Sequence, residues 1–379
     1  MKPSERARSE TETETGTSRR DVLGTIAGGV GVALGVGSGA AATTARAAAA
    51  TPTVFTQNLY VGVDFSRLVE AGSYREFRRI VGDVLAGLDP ETYRARADAV
   101  AGVVEANAPD AIALQEASVF RKQEPGDFAS NGAAAASTVV VDLLEEFEAA
   151  LEARDLGYRR AVVTATSDAE LPATTDDGAV DLRVTDRVAL LVRDDVDVAE
   201  AVGDTFDTDI AVPVPNADRT MALRRGHCRA ALTVDGVPFT AVSTHLESVS
   251  SFLRLLQARE LVSSLPENRP VVLCGDLNSG PGYESGAYDL LTDSFRDPYA
   301  RLHPDTPGNT CCQAPDLRND RSRLTSRIDV VLCRGGVRAT EIGRVNHRPR
   351  DRLTLRRGDE SVSVWPSDHA GLVATIEGA

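Results

Sequence analysis

Asn58 follows the apolar run that opens at Thr53, Glu116 follows Ala-Ile-Ala-Leu-Gln, His245 follows Val-Ser-Thr, and Asp276 and Asn278 follow Val-Val-Leu-Cys-Gly. These are acceptors or proton carriers, the side-chain types that acid–base work and coordination of a hard cation require. Near the C-terminus, Asp329 sits inside Arg-Ile-Asp-Val-Val-Leu, and Ser367-Asp368-His369 immediately precedes the last strand candidate. Strand ends hold side chains rigidly, so groups gathered at one rim of a sheet form a site without the positional error of a flexible loop. An antiparallel strand can deliver residues to the same rim from its start. Taken singly, each residue has an ordinary structural reading, a carboxylate as a turn or cap and a lone histidine as a satisfied polar group. Asp329 differs: an acidic side chain among Ile and Val needs a partner if buried, and a charged histidine or a metal would serve.

The elements that must position these groups are short. Thr53 to Gln57 is a strand candidate, and Asp89-Pro90-Glu91 starts a helix that Pro109-Asp110 ends before the run Ala111 to Gln115. Further strands are expected at Val188 to Val192, Ala230 to Val234, Val237 to Ser243, Val271 to Cys274, Ile328 to Leu332 and Leu372 to Ile376. Asp235-Gly236 turns the middle pair into a hairpin. Helices are expected from Ser137 to Arg154 and from Ser250 to Ser264. Mixed strands and helices with a tight hairpin point to packed α and β layers with antiparallel pairing, not an all-parallel sheet.

Asn58, Leu114-Gln115-Glu116, Thr244-His245-Leu246, Gly275-Asp276-Leu277-Asn278, Arg327-Ile328-Asp329 and Ser367-Asp368-His369 occur in the order found in the endonuclease/exonuclease/phosphatase superfamily, which the chain resembles from residue 54 to residue 376. That superfamily includes pancreatic-type deoxyribonucleases, abasic-site endonucleases, neutral sphingomyelinases and inositol polyphosphate 5-phosphatases. The resemblance implies an α+β fold, a four-layer α/β/β/α sandwich of two mixed, largely antiparallel sheets, with the site where the sheets' ends meet. It also implies divalent-metal-dependent hydrolysis of a phosphoester. A phosphodiester is anionic and inert, so its cleavage needs neutralised oxygens, an aligned water and a stabilised leaving group. Glu116 is expected to hold Mg²⁺ or Mn²⁺, with Asn58 adding a carbonyl oxygen and Asp368 binding the same ion or a second one. By the same resemblance His369, oriented by Asp329, acts on the attacking water or on the phosphate, and Asp276 is the other candidate for taking the water's proton. Asn278 and His245 resemble donors to the phosphoryl oxygens. If His245 works protonated, the rate falls above neutral pH.

Loops choose the substrate. The inositol-phosphatase signature Trp-Thr-Asp is replaced by Arg323-Leu324-Thr325-Ser326, which argues against that branch. Acidic residues outnumber basic ones 56 to 41, the net charge is −15 and only Lys2 and Lys122 are lysines, so an unselective grip on polyanions is disfavoured. Arginines do cluster at Arg219, Arg224, Arg225 and Arg229, and at Arg344, Arg348, Arg350 and Arg352, where the plain reading is a solvated, salt-bridged surface. Lipid phosphodiesterases add apolar wedges, and with 5% aromatic residues this chain offers Trp365 and scattered Phe and Tyr. Tyr60 and Asp64, and the loop Thr310-Cys311-Cys312-Gln313, are expected to border the pocket. The expected function is an exported phosphodiesterase that cleaves by in-line attack of an activated water. A secreted nuclease, a sphingomyelinase-like phospholipase and, in a different class, a non-catalytic phospho-ligand binding module are the alternatives. No stable protein partner is implied, and a monomer is expected.

Residues 1 to 17 are polar and read as a disordered leader. Ser18-Arg19-Arg20-Asp21-Val22-Leu23 then opens a Gly/Ala/Val-rich run to Ala42 that resembles a twin-arginine export signal, with cleavage expected near Ala47 to Ala50. The seven glycines between Gly24 and Gly39 weaken the competing reading as a membrane anchor. Residues 51 to 379 are expected to form one catalytic domain, working outside the cell or at its surface. An acidic, lysine-poor surface also suits a saline habitat. Of the five cysteines, Cys274 and Cys333 fit core packing, whereas Cys228 could pair with Cys311 or Cys312 in an exported protein.

Overall fold

Period-two alternation along the strands sorts their side chains between three apolar layers. In the computed structural model, which describes residues 51–63, 66–69, 71–128, 135–213, 220–358 and 360–378, the strands in chain order are β1 (Thr53–Asn58), β2 (Ala111–Gln115), β3 (Val119–Gln123), β4 (Thr138–Asp142), β5 (Tyr158–Thr175), β6 (Gly178–Arg193), β7 (Asp197–Thr205), β8 (Ile210–Pro213), β9 (Thr220–Leu223), β10 (Gly226–Val234), β11 (Val237–His245), β12 (Val271–Asp276), β13 (Asp329–Arg334), β14 (Val337–Val345), β15 (Leu353–Arg357), β16 (Glu360–Val364) and β17 (Gly371–Gly378). The helices are α1 (Ser66–Val69), α2 (Tyr74–Gly87), α3 (Pro90–Asn107), α4 (Leu143–Glu152), α5 (Ser251–Ser264), α6 (Gly286–Thr292) and α7 (Pro298–Leu302). The expected export signal, Asp64 and Arg219 lie outside the described residues.

On β2, Ile112 and Leu114 face a core shared with α2, α3 and α4, while Ala111 and Ala113 face the core between the sheets. On β12, Val272 and Cys274 enter that inter-sheet core, while Val271 and Leu273 pack with Leu261 of α5 and Leu291 of α6. Three cores between four layers give the expected α/β/β/α sandwich. The larger sheet runs β14-β17-β1-β2-β6-β3-β4, with β5 also on β6, and the smaller runs β13-β12-β11-β10-β7. Each contains one parallel pair among the described residues, β1 with β2 and β11 with β12, and is otherwise antiparallel. A parallel pair needs a long crossover. Helices α2 and α3 supply it for the first pair and α5 for the second.

Local chemistry sets the ends of these helices. Asp89 caps α3 by accepting from the Glu91 backbone N–H, and Ala108 ends it in the left-handed region at φ 41°, just before Pro109. The helix expected from Ser137 begins only at Leu143. The β-branched stretch ahead of it, Thr138 to Val141, pairs with β3 as an edge strand instead, and Asp142 caps the shortened helix through the N–H groups of Leu144 and Glu145. Nor does Cys228 bond to the adjacent cysteines: it is free and buried in the inter-sheet core.

Candidate active site

Parallel strands end at the same rim, so β1 and β2 bring Asn58 and Gln115 side by side, followed by Glu116, and β11 and β12 bring His245 beside Asp276. The antiparallel neighbours arrive from their starts: Asp329, the first residue of β13, pairs with Asp276, and Asp368 and His369 lie just ahead of β17. Backbone bends finish the placement, with Glu116 at φ 52° and Asn278 at φ 48° turning the chain away from the sheet.

The side chains converge on Asp276, which is 1% exposed. Its Oδ2 accepts from Asn58 Nδ2 at 3.0 Å and lies 3.6 Å from His245 Nε2 and 3.8 Å from His369 Nε2. Its Oδ1 accepts from the Asn278 backbone N–H at 2.8 Å. Asn58 Nδ2 also donates to Glu116 Oε1 at 3.1 Å, and Glu116 Oε2 accepts from the Val61 N–H at 2.6 Å. His369 Nδ1 meets Asp329 Oδ2 at 2.8 Å, the partner that a carboxylate buried among Ile and Val requires. Asn278 Nδ2 donates to the Leu246 carbonyl at 3.0 Å and lies 3.2 Å from His245 Nε2. Asp368 Oδ1 lies 3.8 Å from His369 Nε2, so all eight candidate residues lie on one rim, linked through Asp276, Glu116 and His369.

The family model of the endonuclease/exonuclease/phosphatase family matches residues 56–369. The chain belongs to this family. Similar solved structures include an endonuclease/exonuclease/phosphatase family protein from Bacteroides thetaiotaomicron, 16% identical with a TM-score of 0.54 over 86% of this chain and 94% of that one. Another is the mannosyl-6-phosphatase of the same organism, 16% identical with a TM-score of 0.52 over 86% of this chain and 100% of that one. A family protein from Leptotrichia buccalis is 13% identical, with a TM-score of 0.50 over 86% of this chain and 99% of that one. At these identities the likeness is one of fold. Among curated proteins, no sequence matches.

Within this family member, burial and neighbouring charge set the protonation states. Burial, Arg225 and His369 hold His245 well below the ordinary histidine range. Arg225 Nη1 lies 3.1 Å from His245 Nδ1 and Asn278 Nδ2 lies 3.2 Å from its Nε2; both neighbours are donors, so each ring nitrogen faces a donor and the imidazole is held without a charge. His245 is thus held neutral, and the expected loss of rate above neutral pH through its deprotonation does not follow. Burial would lower His369, but Asp329, Asp368 and Asp276 outweigh it and raise the imidazole well above the ordinary range. Burial, and next Asp329, push the Asp276 carboxyl up against the opposing pull of His369. Burial also raises Asp368; His369 opposes the rise and Glu116 adds to it.

Asn58 turns its amide nitrogen, not its oxygen, toward the two carboxylates, and its Oδ1 accepts from the Tyr60 N–H at 2.8 Å. The carbonyl ligand expected of Asn58 is absent from this arrangement because two acceptors compete for its N–H₂ group. Asp368 Oδ1 is shielded from solvent with no hydrogen-bond partner among the described residues. It lies 3.8 Å from His369 Nε2, and Glu116 repels it; a hard divalent cation would relieve that repulsion and take the unbonded oxygen, so the residues fit such an ion. Asp276, Asp329 and His369 also bring donor atoms within 4.8 Å of one another, but there the imidazole Nδ1 and Asp329 already satisfy each other.

Two neighbours of the rim escaped the sequence reading, both arginines. Arg225, taken for part of a solvated cluster, lies under His245 with Asp186 at 3.5 Å, whereas Arg224 does pair at the surface with Asp209 at 3.2 Å. Arg352 with Asp320 at 2.9 Å likewise fits the surface reading. Arg96, 4% exposed on α3, donates from Nε to the Pro366 carbonyl at 2.8 Å and from Nη2 to the carbonyls of Leu59 and Tyr60. It thereby ties the end of β1 to the segment carrying Asp368 and His369. Its signal was available: a charge in the buried stripe Tyr93, Ala97, Val100, Val104. Trp365 is wholly buried, its indole donating to the Asn319 carbonyl at 2.7 Å, and supplies no wedge. Tyr60 is also buried, its hydroxyl on the Pro315 carbonyl. The loop of Cys311 to Gln313 does border the rim: Gln313 N–H donates to the Asp368 carbonyl at 2.8 Å, and the exposed Cys312 places Sγ 3.9 Å from His369 Nε2.

Proposed function

We propose that this chain is an exported, divalent-cation-dependent phosphodiesterase that cleaves its substrate by in-line attack of water. The observation that carries the reading is Asp276, which takes hydrogen bonds from Asn58 of the larger sheet and Asn278 of the smaller while facing two imidazoles. Those donated bonds favour its carboxylate form, so Asp276 is the group that takes the water's proton. His369, charged and held by Asp329, presents Nε2–H to a phosphoryl oxygen. The His245 imidazole and the Asn278 amide are further polar groups at the same rim. Glu116 and Asp368 would hold the cation, which would polarise a phosphoryl oxygen and steady the leaving alkoxide. Asn58 positions both carboxylate groups. The mannosyl-6-phosphatase from Bacteroides thetaiotaomicron is named for phosphoester hydrolysis, which agrees with the reaction class. Export rests on the Arg19-Arg20 pattern and the small residues from Ala47 to Ala50.

Bis-p-nitrophenyl phosphate tests the reading directly. Hydrolysis should require Mg²⁺ or Mn²⁺, stop with a chelator and be lost in Glu116→Gln together with Asp368→Asn. Hydrolysis that survives chelation, or an inert wild-type protein with either cation, overturns it.

A further inference from the structure

In the second arginine cluster Arg352 is committed to Asp320, whereas Arg350 stands at 72% side-chain exposure with its Nε 3.9 Å from Asp351 Oδ1. Arg344 and Arg348 pair with no carboxylate among the described residues: Arg344 Nη1 donates to the Asn309 carbonyl at 2.7 Å, and Arg348 Nε donates to His347 Nε2 at 3.3 Å. Asp351 is the acid at this place, and its Oδ2 is already taken by the backbone N–H groups of His347 and Arg348, at 3.0 and 2.8 Å. On a chain of charge −15 this is a local excess of positive charge. The His347 imidazole feels it: burial first, then Arg344 and Arg348, hold it below the ordinary histidine range, with Asp351 opposing and Arg350 adding.

These groups enclose space. Three of the arginines and His347 line one wall of a cleft of about 380 Å³, and the facing wall is α3, which presents Ala99, Gly102, Val103 and Ala106. That spacing puts the four on one helical face, and their small side chains leave the cleft open. An apolar wall facing a few converging polar groups is the composition of a small-molecule site. The cleft also lies beside the catalytic rim. β14 ends at Val345, which pairs with Gly371, just after His369. Asn346 follows at φ 57° and is 6% exposed; its Nδ2 donates to Gln57 Oε1 at 3.2 Å, and Gln57 Nε2 donates to the carbonyls of Asn58 and His369, at 2.7 and 3.2 Å. The arginines are thereby carried on a loop anchored to the end of β1 and to His369.

We propose that the cleft between α3 and the loop after β14 is a binding site for an oxyanion of the phosphate class, separate from the residues that carry out the reaction. Arg348 and Arg350 supply the forked donors that match such an anion, and Arg344 adds its charge. The α3 wall takes the organic part where the anion carries one. Two sources share this chemistry, a free phosphate ion and a phosphate monoester on a small apolar group.

Titration calorimetry of the full chain with inorganic phosphate and with phenyl phosphate tests this, in the presence of a chelator so that no cation bridges an anion to Glu116 and Asp368. Both anions should bind saturably. Tighter binding of phenyl phosphate identifies the monoester, whose ring covers the α3 wall, and equal affinities identify the free ion. Arg348→Gln together with Arg350→Gln should raise both dissociation constants about tenfold or more, while cation-supported hydrolysis of bis-p-nitrophenyl phosphate stays unchanged. Arg75→Gln together with Arg259→Gln removes the same charge from exposed positions on other elements and should bind as wild type. The site is overturned if neither anion binds, if the cleft variant binds as wild type, or if the two double variants weaken binding equally, since net charge is then the cause. It is also overturned if the cleft variant loses diester hydrolysis at an unchanged melting temperature, which puts the anion at the reaction site. A chain that binds the anion as expected but cleaves no diester keeps the site and loses the hydrolase reading.

Discussion

Three carboxylates surround the His369 imidazole, and one of them, Asp329, touches it, so the ring keeps its proton well above the ordinary histidine range. On the proposed mechanism Asp276 takes the water's proton, and Asp276→Asn should lower kcat by about 10² to 10⁴-fold with KM little changed, as measured by steady-state kinetics. A KM effect alone would count against the role. Removing Asp329 takes away a raising influence on His369, so its proton is lost at lower pH. For Asp329→Asn, the alkaline fall of kcat/KM should therefore begin at lower pH than in wild type, and an unmoved profile would show that His369 does not act as a charged donor. At this scale the eight rim residues were legible because chemistry leaves residue types in a fixed order along the chain. Arg225 and Arg96 were not, since an arginine reads as solvated until burial is known.

Elements with one strong local signal were legible, and those decided by tertiary pairing were not. Asp89-Pro90 announced α3, and Asp235-Gly236 the β10–β11 hairpin. By contrast β5 and β6 form a long hairpin of which only Val188 to Val192 was foreseen, because polar residues such as Asp168, Glu170 and Asp181 interrupt the apolar pattern. Asp177-Gly178 at its turn is the cue that was available. On β10, His227 is 3% exposed, stacks with Phe206 at 5.7 Å, and is lowered to about 4 by burial first and then by Arg229. The folded state holds it neutral, whereas the unfolded chain protonates it below the ordinary value of 6.5. Its contribution is complete above 6.5 and is lost as pH falls toward 4, up to about 3 kcal/mol. Between pH 7 and pH 4.5, wild type should lose more urea stability than His227→Gln. Equal losses would place the acid sensitivity elsewhere.

In the whole molecule, packed α and β layers with antiparallel pairing were legible from the pattern of apolar runs, but the α/β/β/α order and the docking of the two rims were reachable only through family resemblance. Net charge acts at this scale as well. With −15 the folded chain repels itself, and its melting temperature should rise with KCl between low and molar concentrations; indifference to salt would remove the saline-habitat expectation. The two parallel pairs carry one more consequence. As β1 ends and β17 starts at the catalytic rim, Thr53 and Gly378 lie at the opposite pole, where the Ile376 N–H bonds the Pro52 carbonyl at 2.6 Å. The Asp235-Gly236 turn is at that pole too, because β11 runs from it to His245. A circular permutant joining Pro52 to Gly378 through a short linker, with new ends cut at Asp235-Gly236, should keep wild-type turnover, since every seam falls on the pole remote from the mouth.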